Sequence, residues 1–148
     1  MSERKRIFLI EDNEADASII REALAEGEAV CDVVHFRDGE EALAALMNEG
    51  LSAPDAILLD LNMPKSDGLD VLRLIRKTPR LARVPVGVLT GSSATHDRQR
   101  ASMSGAACYI EKPISYDEFI ETVRHAVHDM LPPESADGRE DVGGEEKQ

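Results

Sequence analysis

Tryptophan is missing from this chain of 148 residues, and only three phenylalanines and two tyrosines supply aromatic rings. Surfaces that stack nucleic-acid bases need such rings, so a base-stacking function is disfavoured. Basic residues are also few: 17 Lys and Arg stand against 29 Asp and Glu, a formal net charge of −12. Phosphate backbones and anionic membranes call for a basic patch, and neither nucleic acid nor membrane is an expected partner. No apolar run is long enough to span a bilayer. The opening Met1-Ser2-Glu3-Arg4-Lys5-Arg6 lacks the apolar segment of a secretory signal. A cytoplasmic location is therefore expected. The two cysteines, Cys31 and Cys108, fall on different predicted strands without metal-ligand spacing and read as reduced, buried small residues. Histidine is equally uninformative. His125 and His128 are spaced i,i+3 on a solvated helix face, and His35 and His96 are isolated.

What the chain has is alternation. Apolar strand-like runs at 6–11, 29–36, 56–60, 84–90 and 108–111 are each followed by a helical pattern. Asn13 caps the first helix, with Glu14 and Asp16 in its first turn. Asp38 and Glu41 form a capping box on the second helix, whose buried stripe is Leu43, Leu46 and Met47. Leu72 and Ile75 face inward on a third helix over 69–77. The fourth, over about 95–104, is polar and offers only Ala101 and Met103 as apolar contacts. Ser115 and Glu118 box the last helix, and Phe119, Ile120, Val123, Val127 and Met130 line its apolar side.

Five βα repeats predict an α/β fold, a doubly wound parallel sheet with helices on both faces. The runs Ile7–Ile10 and Ile57–Leu59 are continuously apolar, as buried parallel strands should be. Right-handed crossovers make the flavodoxin-like order 2-1-3-4-5 the simplest. One domain over 1–131 is expected, followed by a disordered acidic tail over 132–148.

That topology gathers the strand ends. The first strand ends in Glu11-Asp12, the third in Asp60, the fourth in Thr90 and the fifth leads into Lys112. Three crowded carboxylates repel, so at least one pKa should rise, and a hard divalent cation would relieve the repulsion. All-oxygen ligands suit Mg²⁺, with Mn²⁺ a substitute. Asp60 is then placed to attack phosphorus in line and form an aspartyl phosphate. Lys112 would pair with one phosphoryl oxygen, and Thr90 would bond another after an inward movement of its loop. Glu11 is the weakest member of the set, since it could simply meet water. Any one of these residues alone reads as a cap, a strand-end hydroxyl or a surface charge; the joint placement is what points to chemistry.

The segments Ile10-Glu11-Asp12-Asn13, Leu58 to Gly68, Leu89-Thr90-Gly91 and Tyr109-Ile110-Glu111-Lys112-Pro113 together resemble the receiver domains of two-component response regulators. The resemblance covers residues 5–130. It implies that Asp60 is the phosphoacceptor, that Asp12 binds Mg²⁺ directly, and that Glu11 acts mainly through water. It also implies that Asn62 lends the metal a backbone carbonyl, that Tyr109 is the aromatic switch, and that Lys112–Pro113 is cis. Gly68 would be the turn glycine from which a side chain is excluded, and Asn62 and Ser92 would flank the phosphoryl site and set the phosphoryl lifetime.

On this resemblance the chain is a phosphorelay signalling protein rather than a turnover enzyme. A sensor histidine kinase would donate the phosphoryl group, docking near the first helix and the loop after Lys112. The surface formed by the fourth helix, fifth strand and fifth helix would then change for protein partners. With no output domain after Met130, a stand-alone regulator, relay or phosphate sink is expected. The Glu11–Asp16 segment and the Leu61–Lys65 turn are similar to regulators serving bacterial phytochrome kinases, relatives that can form homodimers through the same surface, which makes a homodimer one expectation here. Two alternatives remain open at this point. A haloacid dehalogenase-type phosphatase would want an acid two residues after Asp60, where this chain has Asn62. A degenerate receiver acting as a pure binding module would lack one of the key groups, and none is lacking here.

Overall fold

The computed structural model describes residues 4–27, 30–64, 66–91 and 95–131. The expected tail over 132–148 and Ser92 lie outside the described residues. Five parallel strands, β1 (Lys5–Ile10), β2 (Cys31–Phe36), β3 (Ala56–Asp60), β4 (Val86–Thr90) and β5 (Cys108–Glu111), form one sheet in the order β2-β1-β3-β4-β5. The helices are α1 (Glu14–Ala25), α2 (Gly39–Leu46), α3 (Gly68–Lys77), α4 (Thr95–Met103) and α5 (Tyr116–Met130). A short antiparallel ladder pairs Asn62–Met63 with Ser66–Asp67 directly after β3. The flavodoxin-like order read from the sequence is the observed one.

Period-two alternation splits the strand side chains between two cores. Ile7, Leu9, Leu58, Leu89 and Ile110 pack against α1 and α5. Phe8, Ile10, Ile57, Leu59 and Val88 face α2, α3 and α4 on the other side. This is why the central strands are apolar throughout: each face is covered. Truncating a fully buried leucine such as Leu58 in such a core costs about 2–5 kcal/mol.

The helix starts follow the sequence, with one variation. Asn13 accepts from the Asp16 N–H at 3.0 Å, and Ser115 from that of Glu118 at 3.3 Å. Asp38 accepts from the Glu41 N–H at 2.9 Å, but the Glu41 carboxylate reaches back to Arg37 N rather than to its own cap. Asp67 caps α3 by accepting from Leu69 N at 2.9 Å.

Several expectations are corrected. Met47 caps the C-terminus of α2 and is 40% exposed, so Ala42 and Leu46 carry the buried stripe with Leu43 in partial support. Met103 projects into solvent, and Ala101 is the buried side chain of α4. Cys31 and Cys108 are half-buried free thiols, on strands at opposite edges of the sheet; burial raises the pKa of each. No cis peptide bond occurs among the described residues. Lys112–Pro113 is therefore trans, the isomer that X-Pro bonds prefer by about 0.5–1 kcal/mol.

Candidate functional site

Because β1, β3, β4 and β5 are consecutive in the sheet, their carboxyl ends open on one cleft. Backbone hydrogen bonds continue the strand ladders past the strand ends: Glu11 N to Phe36 O at 3.0 Å, Leu61 N to Leu89 O at 2.9 Å and Lys112 N to Thr90 O at 2.8 Å. Loops anchored this way hold their side chains at fixed positions. Asp12, Asp60, Asn62 and Lys112 line the cleft together with Asn13 and Asp16.

Asp60 is 2% exposed and at the end of β3. Its Oδ1 accepts from the Asn62 N–H at 2.9 Å, which leaves Oδ2 facing Lys112 Nζ at 3.3 Å. Glu11 is fully buried, so it does not meet water as its position beyond a strand suggested. Its Oε2 accepts from Asn13 N at 3.1 Å, and its Oε1 lies 2.9 Å from Lys112 Nζ. Asp12 is exposed at the mouth. The hydroxyl of Thr90, also fully buried, donates to the side-chain oxygen of Asn62. Tyr109 is half-buried on β5, with the Arg98 guanidinium 4.5 Å from its ring centroid.

Two participants were not legible in the sequence. Asp16 Oδ2 binds Lys112 Nζ at 2.9 Å, closing a gap of 96 positions that only the fold can close. His35, which looked isolated, places its Nε2 2.7 Å from the Glu11 carbonyl oxygen; an N–H there donates and pins the loop. Gly68 is the one glycine at the site whose role the close approach explains. A Cβ on it would lie 2.6 Å from Leu61 Cα and 2.9 Å from Asp60 O.

Electrostatics follow from this crowding. Burial first, and the neighbouring Asp60 second, push the Glu11 carboxyl up to about 8, against the pull of Lys112. Burial alone would lower Lys112, but Glu11 and Asp16 outweigh it and hold the ammonium above its ordinary range. Burial, then Asp97, raises the Tyr109 phenol, while the Thr90 hydroxyl acts the other way.

The donor set suits a hard divalent cation. Oxygen atoms of Glu11, Asp12 and Asp60 lie within 4.8 Å of one another. Glu11 Oε1 is buried and accepts no hydrogen bond of good geometry despite its ion pair with Lys112. A buried carboxylate oxygen without a directed partner is costly, and a cation offers that partner.

The response regulator receiver domain model matches residues 7–124. The chain belongs to this family. The receiver is 39% identical over 120 residues to the probable methanogenesis regulatory protein FilR2 of Methanothrix harundinacea, covering 79% of this chain and 77% of that one. It is 36% identical over 124 residues to the response regulator Rcp1 of Synechocystis, with 81% and 84% covered. The Mn²⁺-bound form of Rcp1 superposes with a TM-score of 0.79 at 33% identity, over 87% of this chain and 99% of that one. The phosphorylated cyanobacterial phytochrome response regulator RcpA superposes with a TM-score of 0.81 at 41% identity, over 88% of this receiver and all of that chain. The protein is thus a receiver of two-component signalling, with an acidic site that fits a divalent metal. Among the described residues, no helix is long and apolar enough to cross a membrane.

Proposed function

We propose that Asp60 accepts a phosphoryl group from a sensor histidine kinase and that the receiver uses the resulting change in its α4–β5–α5 surface to signal to protein partners. The observation that carries this reading is the buried Asp60 carboxylate, whose Oδ1 is fixed by Asn62 N while its Oδ2 faces Lys112. Asp12, Glu11, Asp60 and the Asn62 carbonyl would hold Mg²⁺, with Mn²⁺ as substitute. The metal would neutralise charge on the transferring group. Lys112 would pair with a phosphoryl oxygen. Thr90 would leave Asn62 to bond another, and Tyr109, which packs beside Thr90, would follow. A proton on Lys112, kept there by its carboxylate partners, maintains the positive charge that phosphoryl oxygens require.

Chemistry is then confined to the chain's own phosphorylation and dephosphorylation, since Asn62 supplies no acid two residues after the nucleophile for ester turnover. The similarity to the cyanobacterial phytochrome response regulator RcpA supports a phytochrome-linked kinase as donor. A cytoplasmic location and a receiver unit over 1–131, with the acidic 132–148 segment outside it, belong to the same reading. Homodimerisation through α4–β5–α5 belongs to the same reading, as does an action through proteins or as a phosphate sink.

Incubation with acetyl phosphate tests it. Intact-mass spectrometry should show the gain of one phosphoryl group with Mg²⁺, none after chelation and none in Asp60→Asn. Continuous hydrolysis of unrelated phosphate esters would instead identify a phosphatase.

A further inference from the structure

We propose that Asp16 is a positioning residue: the counter-ion that holds Lys112 in the resting site and that an arriving phosphoryl group must displace. The inference rests on Asp60 being the phosphoacceptor. An ammonium has three N–H donors. Here Lys112 Nζ meets three carboxylates, Glu11 Oε1 at 2.9 Å, Asp16 Oδ2 at 2.9 Å and Asp60 Oδ2 at 3.3 Å. The contact to Asp60 is the longest, so the lysine is drawn away from the reacting carboxylate toward the other two.

The three carboxylates differ in what they do when the lysine leaves. Glu11 is fully buried and Asp60 nearly so. The Asp16 side chain is 24% exposed and can take water in place of the ammonium. It is therefore the partner that can be given up at least cost. Its placement is not accidental to the helix: Asn13 accepts from Asp16 N at 3.0 Å, which fixes the first turn of α1 and with it the side chain's approach to the cleft. The pair also ties α1 to the loop after β5. With 14% of the Lys112 side chain exposed, solvent screens the pair only in part.

An interaction made before binding and surrendered on binding subtracts from affinity. Asp16 thus weakens the capture of phosphoryl-like anions and shortens their stay. Removing its charge releases Lys112 toward Asp60.

The test is a calorimetric titration of the intact protein with beryllofluoride, a phosphoryl mimic, at saturating Mg²⁺. Asp16→Asn should bind about tenfold more tightly than the parent chain, the effect of surrendering one charge-assisted contact. Asp16→Glu, which keeps the charge, should stay near the parent value. The melting temperature of free Asp16→Asn should fall at the same time. A merely structural contact would lower stability and affinity together, so opposite signs separate the two roles. Unchanged or weaker binding by Asp16→Asn overturns the proposal. If the parent chain itself shows no Mg²⁺-dependent binding that Asp60→Asn removes, the phosphoacceptor reading fails first and takes this one with it.

Discussion

A carboxyl group buried beside a second carboxylate holds its proton, and Glu11 is in that position. Its pKa of about 8 lies above the ordinary 4.5, so between those values the folded chain keeps a proton that the unfolded chain has lost. Through Glu11, stability of the metal-free protein therefore falls as pH rises across that window, and the loss is complete above about 8. A divalent cation must displace the same proton. Its affinity should strengthen by up to about tenfold per pH unit below that value and level off above it. Titration calorimetry with Mg²⁺ at several pH values checks this, and a flat affinity from mildly acidic to neutral pH would contradict it. Residue identities at strand ends were enough to nominate Glu11, Asp12, Asp60, Thr90 and Lys112 because strand order converts sequence position into place. They were not enough for Asp16 or His35. Both depend on which way a side chain leaves its element, and a helix's first turn or an edge strand does not reveal that in one dimension.

Among the elements, α3 and α4 contrast. Helix α3 buries Leu69, Val71, Leu72 and Ile75 and starts at Gly68, pressed against the Asp60–Leu61 backbone. A methyl group at Gly68 has backbone, not a flexible side chain, in its way. Gly68→Ala should cost about 1–3 kcal/mol by chemical denaturation, the usual range for overpacking. A neutral result would mean that the contact yields easily. Helix α4 has Ala101 as its buried anchor, and its C-terminal turn leads to Gly105, whose carbonyl oxygen accepts two hydrogen bonds from Arg76, at 3.0 and 2.8 Å. Weak apolar anchoring lowers the cost of local opening. Amide hydrogen exchange should therefore be faster in α4 than in α3 or α5, and equal protection would count against α4 as the moving element. Polar composition makes this weakness visible in the sequence, although Met103, apolar in the sequence, is exposed in the structure. Periodicity locates a face only to within a residue or so at a helix end, and both Met47 and Met103 occupy such ends.

For the whole molecule, five alternating repeats, short connections and uniformly apolar central strands leave one economical topology, and the sheet adopts it. The trans Lys112–Pro113 bond shows the limit of carrying a family's detail across, since a small energy difference separates the isomers and no residue pattern decides between them. With a net charge of −12, three carboxylates around one lysine and Asp12 beside two of them, the receiver's cleft repels anions until a cation enters. The function therefore depends on one carboxylate being the place where phosphorus is captured. Reductive trapping of the phosphorylated protein, followed by peptide sequencing, marks the modified residue directly. A single label at Asp60 that requires a divalent metal during phosphorylation is the expected result. A label at Asp12 or Asp16, or a metal-independent label elsewhere in the chain, would contradict it.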